Sequence, residues 1–334
     1  MERFEKFKDI ILNKAKEERA CKEQYQRALK SGTFEDLISI IKDNFQWSIN
    51  HKIIDPILIK EYKEEFHGNG ICCNENICNG FLLATGNATV EAYGNATVEA
   101  TGNATVRAYD NATVRAYDNA TVRATGNATV EAYGNATVEA YGNAIVRATG
   151  NATVEAYGNA IVRATGNATV EAYGNATVRA YVNATVRATG NATVEAYGNA
   201  TVRAYDNATV RATGNATVEA YGNATVEAYV NAIVRATGNA TVEAYGNATV
   251  RAYDNATVRA TGNAYIYSYY IIECKLKDNA VYRLISENKI FYPEETAINI
   301  EKQTTHKTRS QWKERISTKT SKCTSPAQKT TSGP

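Results

Sequence analysis

Only three histidines occur in this chain, His51, His67 and His306, and none falls in the long stretch between the last two. A nucleophile paired with a histidine base therefore has no home in that stretch. Glycines stand singly at turns instead of opening a helix, which excludes a glycine-rich phosphate loop. No apolar run approaches the length of a membrane span. The six cysteines, Cys21, Cys72, Cys73, Cys78, Cys274 and Cys323, are too sparse for a secreted disulfide framework and read as reduced thiols. Where a secretory signal would be apolar, Glu2, Arg3, Glu5, Lys6, Lys8 and Asp9 follow at once, so a cytoplasmic protein is expected.

What fills the sequence is one octapeptide. From Asn87 to Gly262 the frame Asn-Ala-Thr/Ile-Val-Glu/Arg-Ala-Tyr/Thr-Gly/Asp/Val recurs 22 times without a gap. A fixed short period marks a solenoid, because one unit cannot bury its own apolar face and must stack on its neighbours. Within the first unit, strict alternation separates Ala88, Val90 and Ala92 from Thr89, Glu91 and Tyr93. That is the pattern of a half-buried strand; a helix would need apolar spacings of three and four.

The residue before each Asn is Gly 16 times, Asp 4 times and Val twice. A sharp corner calls for a left-handed residue, and a β-branched side chain resists that conformation. Since Val182 and Val230 occupy this place, the invariant Asn is the expected left-handed residue, and its side chain is suited to an Asn ladder along the corner. The expected fold is mainly β, a parallel β-solenoid with Ala, Val and Ala inward.

Two coil geometries compete. Thr replaces Tyr at Thr101, Thr125, Thr149, Thr165, Thr189, Thr213, Thr237 and Thr261, mostly 24 residues apart, which suggests three units per coil. One Val and two Ala per face, however, are too slight to fill a triangular interior. Like charges on adjacent strands repel. Two units per coil set opposite charges together in 12 of 20 stacked pairs, three units in 9 of 19. Two units per coil is favoured, with three as the alternative.

Residues 79–286 thus form the solenoid and its end caps, while residues 1–70 change period. Phe4, Phe7 and Ile11, then Cys21, Tyr25, Ala28 and Leu29, recur at helical spacing up to Ser31-Gly32. Thr33 and Asp36 make a capping box for a second helix bearing Leu37, Ile40, Ile41, Phe45 and Ile49. Asp55-Pro56 opens a third with Leu58, Tyr62 and Phe66. This helical head is expected to cover the first coil, since an open strand edge templates aggregation. Larger inward residues, Ile266, Ile272, Cys274 and Leu276, suggest a cap at the far end.

Residues 263–334 carry 12 basic and 7 acidic side chains. All of that excess lies in residues 302–334, where Lys302, Lys307, Arg309, Lys313, Arg315, Lys319, Lys322 and Lys329 meet only Glu314. Such a composition reads as a disordered tail, able to hold nucleic acid only weakly and in a salt-dependent way.

Chemistry is sparse. His67, Cys72, Cys73 and Cys78 form the one compact metal-like grouping, but zinc sites prefer paired ligands with a matching second pair, so the reading is incidental thiols and no metal or other cofactor. Cys21 and His51 are the one conceivable nucleophile and base. No enzyme is expected. A binding surface could lie on the outward ladder of Tyr109, Tyr117, Tyr133, Tyr141, Tyr157 and Tyr173 with Arg107 and Arg115, directed at protein or at glycan. Outward threonines such as Thr89 and Thr97 invite an ice-binding reading, but the neighbouring column is always Glu or Arg, which breaks the lattice.

The segment from Lys14 through Cys21 to Tyr25, with Phe34-Glu35-Asp36-Leu37 and Asp43-Asn44-Phe45, resembles the helical head of uncharacterised proteins from gut bacteria and their phages. In those a similar head precedes short strand repeats with Gly-Asn-Ala or Asp-Asn-Ala turns, as at Asp110-Asn111-Ala112 here. The resemblance implies a bacterial or phage setting, with a virion location if phage-encoded, and carries no catalytic or binding residues. The expected role is a repeat scaffold or protein-interaction module with the head as cap and docking element. The alternative is a surface adhesin or phage structural protein binding glycan.

Overall fold

A computed structural model of the chain describes residues 2–77, 79–293 and 299–300. Each octapeptide contributes one short strand, and strands pair in parallel with the residue sixteen positions on, as in Thr89↔Thr105 and Val90↔Val106. The strands sort alternately into a first sheet of 15 and a second of 14. One coil is therefore two units, and the 24-residue Thr spacing does not describe a turn of the chain. At about 4.8 Å per coil the stack is a rod on the order of 60 Å long.

The interior explains this choice. The inward Ala, Val and Ala of the array are almost all fully buried, from Val90 to Val258. Side chains this small let two sheets close on each other without a central void, which a triangular coil would leave open.

The corner departs from expectation. The left-handed residue is the one before the Asn, including Val182 at φ 64° and Val230 at φ 63°. The Asn is needed for other bonds: its backbone N–H donates to the corner carbonyl of the coil beneath, as from Asn103 to Gly86 at 2.8 Å. Its side chain does form the ladder, with Asn103 Nδ2 donating to Asn87 Oδ1 at 3.3 Å and Asn119 to Asn103 likewise. The two valines bear a strain of about 1–2 kcal/mol each that glycine avoids. Asp at this corner is compensated: Asp110 Oδ2 accepts from the Gly94 N–H below at 3.1 Å, and Asp206 from Gly190 at 3.2 Å.

Corner residues also stack closely. A β-carbon on Gly126 would meet Asp110 backbone at 3.0 Å, one on Gly198 would meet Val182 at 3.3 Å. Within the array, each of the six non-glycine corner residues, Asp110, Asp118, Val182, Asp206, Val230 and Asp254, has glycine sixteen residues before and none has a second β-carbon directly beneath it. The close approach of one coil to the next gives the reason.

At the far end, Ile266, Cys274, Leu276 and Leu284 enlarge the core, and Tyr282 is fully buried with its hydroxyl 2.7 Å from Ser268 Oγ. The strand Lys289–Phe291 then pairs antiparallel with Val281–Leu284, and Asn299–Ile300 antiparallel with Glu273–Leu276. Each sheet thus ends on a reversed strand, which blocks continued parallel stacking.

In the head each expected helix is broken once. Six helices form among the described residues: α1 (Glu2–Glu17), α2 (Lys22–Lys30), α3 (Phe34–Asp43), α4 (Phe45–Asn50), α5 (Pro56–Glu61) and α6 (Lys63–Gly68). Arg19 is left-handed at φ 54°, Asn44 spends its side chain on the Ile40 carbonyl at 2.9 Å, and Tyr62 leaves helical geometry at ψ 40°. The breaks overturn part of the expected stripe: Cys21 and Leu29 are exposed. The Thr33 cap is present, its hydroxyl accepting from the Asp36 N–H at 3.1 Å, and Asp55 likewise accepts from Leu58 N–H at 2.8 Å.

Strand β1 (Ile71–Cys73), eight residues ahead of the expected start of the solenoid, already pairs in parallel with β2 (Phe81–Ala84). Their alternate residues divide between two cores. Cys72 and Leu82 point into the rod, whereas Ile71 and Leu83 belong to the head's core, with Cys73 and Phe81 against it. The head is therefore docked on the outer face of the first sheet, where the sequence suggested a lid over the open edge. Cys78 and the basic tail 302–334 lie outside the described residues.

Candidate functional site

The eight residues expected to form one outward ladder belong to two. Tyr109, Tyr141, Tyr157 and Tyr173 follow strands of the second sheet, Tyr117 and Tyr133 strands of the first. Since the sheets face away from each other, these are separate corners of a flattened rod.

Along each corner the rings stack in parallel. Tyr93 and Tyr109 have centroids 4.7 Å apart, Tyr117 and Tyr133 5.1 Å, Tyr141 and Tyr157 4.8 Å, Tyr157 and Tyr173 4.9 Å. The spacing is the coil repeat itself, so sheet geometry imposes the stack. Where the unit reads Glu-Ala-Tyr, the hydroxyl donates to its own unit's carboxylate, as Tyr157 to Glu155 at 2.7 Å and Tyr245 to Glu243 at 2.7 Å. That bond pushes the Tyr245 hydroxyl up to about 12 and also raises Tyr157, so these phenols stay protonated donors.

Thr interrupts every stack, and Arg fills the notch. Arg123, in the Thr125 unit, lies 5.1 Å over the Tyr141 ring of the coil above. Arg163 does the same to Tyr181, Arg187 to Tyr205, Arg211 to Tyr229 and Arg235 to Tyr253. The guanidinium thus takes the place of the missing ring by a cation–π contact. This pairing was readable: seven of the eight Thr units carry Arg two residues earlier. At the sixteen-residue step, Thr149 and Thr165 fall in one corner, and the strands Ile145–Gly150 and Ile161–Gly166 extend through them to six residues.

The exceptional Thr unit is the first, with Glu99, and it marks a site the sequence did not reveal. Glu99 lies fully buried beneath the head, its Oε2 without a hydrogen-bond partner among the described residues. Arg115 Nη1 donates to Glu99 Oε1 at 3.0 Å and its Nε to Glu131 Oε2 at 3.0 Å. Burial pushes the Glu99 carboxyl up to about 7 in spite of Arg115. Beside it Gln46 Nε2, from α4, donates to the Tyr117 hydroxyl at 2.7 Å. Arg115 and Tyr117, expected as a free surface, are therefore parts of the joint between head and rod, whereas Arg107 pairs with Glu91 at 3.4 Å on the open flank.

Of the other candidates, Cys21 and His51 are engaged separately. His51 Nδ1 is 2.9 Å from Glu18 and its ring stacks on Trp47 at 4.6 Å. Cys21 lines a mostly apolar cavity of about 280 Å³ in the head with Tyr25, Ile40, Trp47 and Ile53, and His51 is not part of that lining. Burial pushes the Cys72 and Cys73 thiols up to about 11 and Cys274 up to about 12, away from the thiolate form a nucleophile needs. His67 and Cys72 do come together, joined by Glu75, which sequence spacing had not singled out.

Comparison with protein-family models, with curated proteins and with solved structures returns no match. Among the described residues no helix is long and apolar enough to cross a membrane.

Proposed function

We propose that the chain is a non-enzymatic scaffold in which a self-contained rod holds the helical head as the docking element. One observation carries this reading: most outward Tyr and many outward Arg and Glu side chains of the array are engaged with neighbours in the rod itself. An inner ring such as Tyr157 has both faces covered by Tyr141 and Tyr173, which leaves it no face on which a sugar could stack. Arginines at the notches lie on rings, and others pair with carboxylates one coil away, as Arg203 with Glu219 at 2.9 Å. These contacts support a stiff spacer over a glycan-binding ladder. The partner is a protein, met through the head, whose apolar cavity opens beside Trp47 and Tyr25. Free thiols at Cys21, Cys72, Cys73 and Cys274 accord with a cytoplasmic setting, and a phage origin would place the rod in a virion.

Coil deletion tests the reading. Removing whole coils, in multiples of sixteen residues, keeps every sheet in register and shortens the rod by about 4.8 Å per coil. A spacer retains its partners when residues 139–170 are deleted, while Trp47→Ala in the intact chain weakens their capture. Loss of all partners on coil deletion, with Trp47→Ala silent, would show instead that the rod surface is what binds.

A further inference from the structure

Left-handed residues flank β1 of the rod where it follows helix α6 of the head. Gly70 is left-handed at φ 75° just before the strand, and Asn74 at φ 55° just after it. His67, from the helix, and Glu75, from beyond the strand, meet Cys72 at its centre. One ligand atom from each, an imidazole nitrogen, the Cys72 sulfur and a carboxylate oxygen, lie within 4.8 Å of one another.

We propose that His67, Cys72 and Glu75 bind a thiophilic divalent cation, zinc(II) by ligand preference, and that the ion ties the head to the first strand of the rod. Three ligands of mixed nitrogen, sulfur and oxygen character suit zinc, with water completing a tetrahedron. Bond lengths to zinc of about 2.0–2.3 Å require the three atoms to draw together by roughly 1 Å. His67 is exposed and Glu75 half-buried, so both can move, whereas Cys72 is held in the sheet by its pairing with Leu82. Lys63 Nζ is 3.4 Å from Glu75 Oε2 but its side chain is 61% exposed and free to swing into water. On binding, the Cys72 S–H bond breaks, its proton leaves to solvent and a sulfur–metal bond forms. The neighbouring Cys73 sits on the opposite face of the strand, against the head's core, and takes no part.

Cobalt(II) titration of the metal-stripped full-length chain tests this. The expected result is one equivalent bound, with the visible bands of tetrahedral cobalt and a near-ultraviolet thiolate charge-transfer band. That band should vanish in Cys72→Ser and persist in Cys73→Ser and Cys21→Ser. His67→Ala and Glu75→Gln, at accessible positions that leave the fold intact by circular dichroism, should weaken binding by roughly 10–100-fold or more. Absence of the charge-transfer band in the wild-type chain, its survival in Cys72→Ser, or unchanged affinity in both His67→Ala and Glu75→Gln would each overturn the proposal.

Discussion

Head and rod are stabilised in opposite ways. In the head, Phe7 meets Phe34 at 5.2 Å, Tyr62 at 4.8 Å and Phe66 at 5.6 Å, at three different ring angles. In the rod the same Ala, Val and Ala recur in every unit, and ring stacks repeat at nearly constant spacing and interplanar angles of 6–10°. A globular core concentrates its stability in a few large side chains, whereas a solenoid spreads it over nearest-neighbour contacts. What the rod demands in return is close approach, at the interior and at each corner.

The strongest challenge to that contrast is Phe7→Ala. Emptying this position should remove about 3–5 kcal/mol from the head. Calorimetry should then show an early head transition separate from a persisting rod; a single joint transition would refute the division. Next comes Ala164→Leu, which overpacks one coil at a cost of about 1–3 kcal/mol. Hydrogen exchange should rise in the coils around residue 164 and stay unchanged in the head.

A smaller effect probes the joint between the two. The fold holds the Glu99 carboxyl at about 7, above its ordinary 4.5, so it prefers the protonated form. Its stabilisation is fully present below the unfolded value and is lost as pH rises from about 4.5 through 7. Thermal melts should show wild-type stability falling across that window, and Glu99→Gln should flatten the fall, gaining on the order of 1–2 kcal/mol at pH 8. Lower stability of the variant than of the wild type at pH 8 would mean that Arg115 needs the charge. Smallest is Val182→Gly, which relieves a left-handed β-branched corner and should raise the rod's stability by about 1 kcal/mol, read from its melting temperature with the head unaffected.

Much of the rod was legible in the residues. Alternation identified the inward set from Ala88 to Ala260, and the slightness of that set argued correctly for two units per coil. The Thr spacing pulled the other way because it records which units alternate in sequence, whereas stacking is decided by closure of the coil. The left-handed corner was misassigned for a related reason: Val182 looked unsuited to it, but the Asn was required for the bond to the coil beneath. In the head, the caps at Thr33 and Asp55 were visible, while the breaks at Arg19, Asn44 and Tyr62 were not. Glu99 could be seen only as an Arg-less Thr unit, with nothing local to say that the head would cover it.

By itself, the sequence determined strand, turn, inward face and repeat, because those depend on side-chain alternation and on backbone preferences within a few residues. Tertiary structure alone decided that the head would dock on the outer face of the first sheet, and that Glu99 and the His67, Cys72 and Glu75 group would be drawn to the joint. Those outcomes depend on how coils close and where a second core docks, and such contacts between distant residues leave no periodic trace in the chain.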